Sequence, residues 1–228
     1  LKVTVTEPSS ALSVSSTSVV DVDCYGKSTG SITVSGSGGT GPYSYNIGGG
    51  TYSTSGTFSS LSAGTYTIGV KDYNNCTSTV SVTVGQPSSA LSASSTQVNV
   101  TCNGLGDGSI TLTPTGGTTA YSYSWTGPGT YTSTKQSPSS LIAGTYSYTI
   151  TDSKGCTSSG SVTIKEPTLL SVSKSSVTDV DCYGGSSGSI TVSGSGGTTP
   201  YSYNISGGSY GSSATFTGLV AGTYTVGI

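Results

Sequence analysis

Five cysteines and nine carboxylates carry most of the chemistry available to this chain, and there is no histidine to work with them. Without an imidazole, neither a Ser-His-Asp nor a Cys-His nucleophile system can be assembled from these residues. The cysteines fall as an early and a late member of two similar stretches, Cys24 with Cys76 and Cys102 with Cys156, and Cys182 opens a third. Two isolated cysteines per stretch leave a tetrahedral zinc site half filled. Disulfides remain, and the simplest pairing joins Cys24 to Cys76 and Cys102 to Cys156, with the partner of Cys182 expected beyond residue 228. Closing loops of that size stabilises a fold by roughly 4 kcal/mol in the chain-entropy model and belongs in an oxidising compartment.

The acids offer little more. A glycosidase needs two close, differently tuned carboxyls, whereas these are scattered beside turns. Asp72 and Asp152 each precede a turn and a cysteine and suit turn initiation. Asp21 with Asp23, and Asp179 with Asp181, are the candidate calcium ligands, with solvated strand-edge acids as the alternative. Calcium takes six to eight oxygens, and the second stretch lacks the pair. Gly36 to Gly39 is no phosphate loop, because no Gly-Lys-Ser follows it. No catalytic residue, cofactor or firm metal ligand is read from the sequence.

The elements that place these residues repeat. Cys24-Tyr-Gly-Lys-Ser-Thr-Gly-Ser-Ile-Thr-Val aligns with Cys102-Asn-Gly-Leu-Gly-Asp-Gly-Ser-Ile-Thr-Leu and with Cys182-Tyr-Gly-Gly-Ser-Ser-Gly-Ser-Ile-Thr-Val. Each is followed by Tyr-Ser-Tyr (Tyr43, Tyr121, Tyr201) and then by Leu-x-Ala-Gly-Thr-Tyr ending at Tyr66, Tyr146 and Tyr224. Repeats one and two end on Val82-Thr-Val-Gly-Gln-Pro87 and Val162-Thr-Ile-Lys-Glu-Pro167, and Val3-Thr-Val-Thr-Glu-Pro8 matches them. A period of about 80 residues is the mark of a tandem array. The expected division is 1–8 as the last strand of a preceding repeat, 9–87 and 88–167 as complete repeats, and 168–228 as a third that lacks its last strand. Repeats one and three share Asp-Val-Asp-Cys-Tyr-Gly and Tyr-Ser-Tyr-Asn-Ile, which points to two alternating types.

Apolar residues alternate with hydroxyls in period two: Ile32 and Val34; Tyr43, Tyr45 and Ile47; Tyr66, Ile68 and Val70; Val80, Val82 and Val84. Such runs put one face into a core and one into water. No stretch has a helical period. Six or seven short strands per repeat, with turns every 8–12 residues, predict an all-β protein of tandem immunoglobulin-like β-sandwiches arranged end to end. Tyr66, Tyr146 and Tyr224 occupy the place of a tyrosine corner or serve as core aromatics. Trp125 reads as a core anchor rather than a ligand platform.

Only 7% of residues are charged and the net charge is −2, which argues against nucleic acid or an anionic membrane surface as partner. Low hydrophobicity raises disorder as an alternative, but 16 tyrosines and many β-branched residues oppose it. No run of apolar residues is long enough for a membrane helix, so no membrane insertion is expected in this segment.

The order Cys-Tyr-Gly…Gly-Ser-Ile, Gly-Gly-Thr-x-Pro-Tyr-Ser-Tyr, Leu-x-Ala-Gly-Thr-Tyr, Asp-x-x-x-Cys and Val-Thr-Val-x-x-Pro resembles the SprB-type repeat of giant surface and gliding-motility adhesins of Bacteroidota. Repeat two departs from it at Asn103 and at Ala120. The resemblance implies an extracellular, cell-surface location, type IX export, a role in adhesion or gliding, and no catalytic residue. The leading expectation is a structural stalk whose partners are neighbouring repeats and other copies in a filament. The alternatives are carbohydrate-binding repeats, with Tyr25, Tyr52, Tyr131, Tyr183 and Tyr210 stacking on surface glycans, or accessory repeats of a larger enzyme.

Overall fold

The computed structural model describes residues 1–228 and contains strands and turns but no helix. The first repeat forms β1 (Ser13–Val20), β2 (Gly30–Ser37), β3 (Ser44–Ile47), β4 (Thr57–Leu61), β5 (Gly64–Lys71) and β6 (Thr77–Val84). They make two antiparallel sheets, ordered β1-β2-β4 and β3-β5-β6. The alternating residues decide which faces meet. Ile32 and Val34 from one sheet pack against Tyr45, Ile68, Val70, Val82 and Val84 from the other, with Val22 at the end of the cluster. The hydroxyls between them face outward, and some pair across strands, as Thr65 does with Thr83 at 3.0 Å. This is a sandwich whose core is built from the inner faces of both sheets.

The second repeat forms β7 (Ser92–Val98), β8 (Gly108–Thr115), β9 (Tyr121–Thr126), β10 (Thr132–Ser133), β11 (Ser139–Leu141), β12 (Gly144–Asp152) and β13 (Thr157–Ile164), in sheets ordered β11-β8-β7 and β10-β9-β12-β13. The third forms β14 (Ser171–Thr178), β15 (Gly188–Ser195), β16 (Asn204–Ile205), β17 (Thr215–Leu219) and β18 (Val226–Gly227), with β14-β15-β17 as one sheet and β16-β18 as the other. By compactness the chain divides into Leu1–Ser94 with Thr113–Ser124 and Thr149–Gly160, and Ser95–Leu112 with Trp125–Tyr148 and Ser161–Ile228. The second repeat therefore contributes to both units.

Three details follow from residue type. A Cβ on Gly30 would lie 2.6 Å from Val84 Cγ1, so only glycine lets the closing strand β6 settle on β2. Gly108 stands in the same relation to Ile164, at 2.9 Å. In the third repeat Gly188 meets Leu219 and Val180 instead, and an open groove lies between Val180, Gly188, Ile190, Leu219 and Tyr224. Residues 1–8 form no strand and are exposed. Val3-Thr-Val5, expected as a strand, has no ladder partner, and a strand is held by its ladder.

The two repeat types differ where polar groups are buried. Asn46 is buried in repeat one, where its Oδ1 accepts the Gly69 N–H at 3.1 Å and its Nδ2 donates to Gly50 O at 2.9 Å. Asn204 makes the same two bonds in repeat three, to Gly227 and Gly208. Repeat two has Ser124 and Thr149 at these places and fills its core with Trp125, which tilts against Tyr148 at 5.2 Å.

Candidate functional site

The cysteine loops and the acids beside them gather where one repeat gives way to the next. After β1 the chain turns through Asp21 to Gly30, and this loop is fastened to the end of β6. Val22 N–H donates to Gly85 O at 2.9 Å, Gly85 N–H donates to Asp21 Oδ1 at 2.7 Å, and Gly26 N–H donates to Gln86 Oε1 at 2.8 Å. The same clamp recurs in repeat two, with Asn99 accepting from Lys165 N–H at 2.9 Å and Glu166 accepting from Gly104 N–H at 2.8 Å. Each loop is also closed on itself: the N–H groups of Asp23, Thr101 and Asp181 donate to the side chains of Thr29, Asp107 and Ser187 at 3.0 Å. The carboxyl of Asp107 is held below its ordinary value by the hydroxyl and then the N–H of Thr101.

The late cysteines sit in the turn that opens the last strand. Asp72 is buried; its Oδ2 accepts Thr40 N–H at 3.0 Å and its Oδ1 accepts Cys76 N–H at 2.9 Å. Asp152 is buried too, accepting from Thr118 at 2.8 Å and from Lys154 and Cys156 at 2.9 Å each. Burial works to raise its pKa, but the N–H groups of Thr118, Cys156, Lys154 and Gly155 outweigh that and hold the carboxyl below its ordinary value. Gly39 and Gly117, both at positive φ, leave room for these carboxylates: a Cβ would lie 2.6 Å from either one.

Within repeat one the early and late cysteines therefore stand at opposite ends of β6. That strand has eight residues, a length of roughly 26 Å at about 3.3 Å per residue. A disulfide needs Cα atoms within about 7 Å. The within-repeat pairs expected from the sequence, Cys24–Cys76 and Cys102–Cys156, are accordingly not formed. Cys24 is bonded to Cys156, with their Cα atoms 5.6 Å apart at a sequence separation of 132. Cys76, Cys102 and Cys182 are free and exposed. The Cys156 sulfur lies 3.3 Å from the Asp23 carbonyl, and Lys154 Nζ is 3.8 Å from Asp23 Oδ1. Both partners of that ion pair are well exposed, so it contributes on the order of 1 kcal/mol at most. Tyr25, Lys27, Ala90, Leu91 and Gly117 line a shallow hollow beside the bond.

The signal for this pairing was present in the strand order. An early cysteine comes one strand after the chain enters a repeat, and a late cysteine comes one strand before it leaves. Strands alternate in direction, so the early residue lies at the exit end and the late one at the entry end. The exit end of one repeat adjoins the entry end of the next.

The remaining candidates are placed as follows. Tyr66, Tyr146 and Tyr224 donate their hydroxyls to the carbonyls of Ser62, Ile142 and Val220 at 2.9, 3.0 and 2.9 Å, the geometry of a tyrosine corner. Burial, and then the neighbouring Tyr131, push the Tyr146 phenol up. Trp125 is 1% exposed and donates Nε1–H to Lys135 O at 2.8 Å, as a core anchor does. Asp21 and Asp23 are drawn to different partners, Gly85 and Lys154, and no three acidic or cysteine side chains converge, near Asp179 and Asp181 or elsewhere. Of the five tyrosines expected to be exposed, Tyr25, Tyr183 and Tyr210 are. Tyr52 is half-buried with Lys71 Nζ 4.8 Å above its ring, and Tyr131 is half-buried edge-on to Tyr146 at 5.1 Å.

The SprB repeat family matches residues 16–51, 94–130 and 174–209. This chain carries three SprB repeats. Each match begins within the first strand of a repeat and takes in the early-cysteine loop and the Tyr-Ser-Tyr strand. The SprB repeat is a structural repeat and not a catalytic one. No curated protein matches the chain.

Proposed function

We propose that these SprB repeats are a stretch of the stalk of a large secreted surface protein, holding a distal adhesive tip away from the cell. SprB repeats form repeat regions of adhesin-like proteins of the cell surface, which supports an extracellular location. The stalk reading rests chiefly on the Cys24–Cys156 bond, which ties one repeat covalently to its neighbour across the Gln86-Pro87 link. A stalk must carry tension through its junctions, and a disulfide there carries it without relying on a thin core. Gliding motility, type IX export and an origin in Bacteroidota belong to this proposal, as do neighbouring repeats and other copies of the chain as its partners. Small-angle scattering of the oxidised chain tests it. The expected result is a distance distribution with a long tail and recurrent inter-repeat spacing; a symmetric, compact profile overturns the stalk.

A second reading, surface glycans as ligands, is favoured by the exposed rings of Tyr25, Tyr183 and Tyr210. Glycan-array binding that is lost on changing Tyr183 and Tyr210 to Ala would support it over a purely mechanical role.

A further inference from the structure

We propose that the Cys24–Cys156 bond is one rung of a covalent ladder, in which the early cysteine of each SprB repeat is bonded to the late cysteine of the repeat that follows. The rule assigns a partner class to the three thiols that have none. Cys102 and Cys182 are bonding sites for late cysteines of following repeats, and Cys76 is the bonding site for an early cysteine of a preceding repeat. The ligand in each case is another repeat of this kind.

The bonded pair itself is the first observation, because it fixes the offset at one repeat. The second is that the free cysteines sit in the same local setting as the bonded ones. Cys76 N–H is held by Asp72 Oδ1 at 2.9 Å just as Cys156 N–H is held by Asp152 Oδ1 at 2.9 Å. The carbonyls of Cys24, Cys102 and Cys182 accept the third N–H onward at 3.0, 3.1 and 2.9 Å. The third observation is exposure at these ends. Cys156 is 8% exposed where the junction is made, while its counterpart Cys76 is exposed. Tyr25, beside the junction, is 48% exposed, and its counterpart Tyr183 is 109% exposed. Strand direction then explains why the offset recurs: each early cysteine is delivered to the exit end of its repeat and each late one to the entry end.

Each rung forms by thiol–disulfide exchange with a disulfide oxidant. A cysteine thiolate displaces one thiol from the oxidant to give a mixed disulfide. The second cysteine then displaces the other, so two cysteine thiols and one oxidant disulfide become one rung and two thiols. Consecutive rungs overlap, because the Cys102 loop opens before the Cys24–Cys156 loop closes. In this chain, tension applied to the ends passes from Cys24 to Cys156 through sulfur and leaves the strands between them, β2 to β12, unloaded, while β1 and β13 stay in the load path.

The ladder stands apart from the stalk reading, since it concerns bonds between repeats and not what the array holds. The first test uses the chain as it is. After oxidation with glutathione disulfide and alkylation, a non-reduced digest should give a Cys24–Cys156 peptide, with Cys76, Cys102 and Cys182 alkylated; a Cys24–Cys76 or Cys102–Cys156 peptide overturns the rule. The second joins residues 1–167 directly to residues 9–228, so that Pro167 takes the place of Pro8. The first segment carries Cys76→Ser and the second carries Cys102→Ser. The expected result is two Cys24–Cys156 rungs, a new bond from Cys102 of the first segment to Cys76 of the second, and one alkylated thiol, Cys182. Three alkylated thiols, with Cys102 and Cys76 among them, overturn the ladder while leaving the stalk reading standing.

Discussion

Asp152 accepts the backbone N–H of Cys156 at 2.9 Å, so the acid that closes this turn also positions the bonded cysteine. The carboxyl is buried, and it titrates below the ordinary 3.8 in the folded chain. Its contribution to stability is therefore complete above about 3.8 and is lost as pH falls from there through the lower folded value. Asp152→Asn should destabilise the fold by about 1–3 kcal/mol at neutral pH, since buried N–H donors lose a charged acceptor. In urea titrations between pH 2 and 7, the variant should also show a shallower loss of stability below pH 4 than the parent. An unchanged acid slope would mean that another carboxyl sets it.

Reduction should act on one bond only. The loop closed by Cys24 and Cys156 spans 132 residues, and the chain-entropy model gives about 5 kcal/mol for a loop of that size. Cys24→Ser and Cys156→Ser should each lower the denaturation midpoint to that of the reduced parent. Cys76→Ser, at an exposed free thiol, should change stability by no more than about 0.5 kcal/mol. Chemical denaturation with and without reductant distinguishes these outcomes.

The tyrosine corners should differ in worth. Tyr146 is 1% exposed, whereas Tyr66 and Tyr224 are half-buried. Removing the hydroxyl with Tyr146→Phe leaves the Ile142 carbonyl without its donor and should cost about 1–2 kcal/mol. Tyr66→Phe and Tyr224→Phe should cost less, because water can replace the lost donor. Equal losses at all three sites would contradict the burial argument.

Trp125 is the largest fully buried side chain. Trp125→Ala removes its contact with Tyr148 as well as the bond to Lys135 O, and should cost about 3–5 kcal/mol. As the chain's one tryptophan, it also reports directly. Its emission should be blue-shifted in the native chain and should shift to the red on unfolding.

The groove of the third repeat should accept a closing strand. Appending residues 71–87 of the first repeat after Ile228 would supply the turn, the strand with Val82 and Val84, and a late cysteine. Hydrogen exchange across β15 and β17 should slow in the extended chain. On the ladder rule the added cysteine should bond Cys102 and not Cys182. Unchanged exchange would show that the groove does not need this strand.

The sequence by itself determined the repeat, its period near 80 residues, its all-β character and the face each strand turns inward. Ile32, Ile68, Val70 and Val84 are buried because period-two alternation is a local property that the strand geometry simply executes. The motifs also singled out Tyr66, Tyr146, Tyr224 and Trp125, and in the fold each donates its polar group to a backbone carbonyl. Tertiary structure decided which residues meet across elements. Asn46 became a buried partner of Gly69 through the β3–β5 register, and Asp21 a cap on Gly85 at a sequence separation of 64. It also decided the cysteine pairing. Proximity along the chain favours a bond within a repeat, but an eight-residue strand is rigid and holds the two ends of a sandwich some 26 Å apart. The cysteine that meets Cys24 in space thus comes from the next repeat.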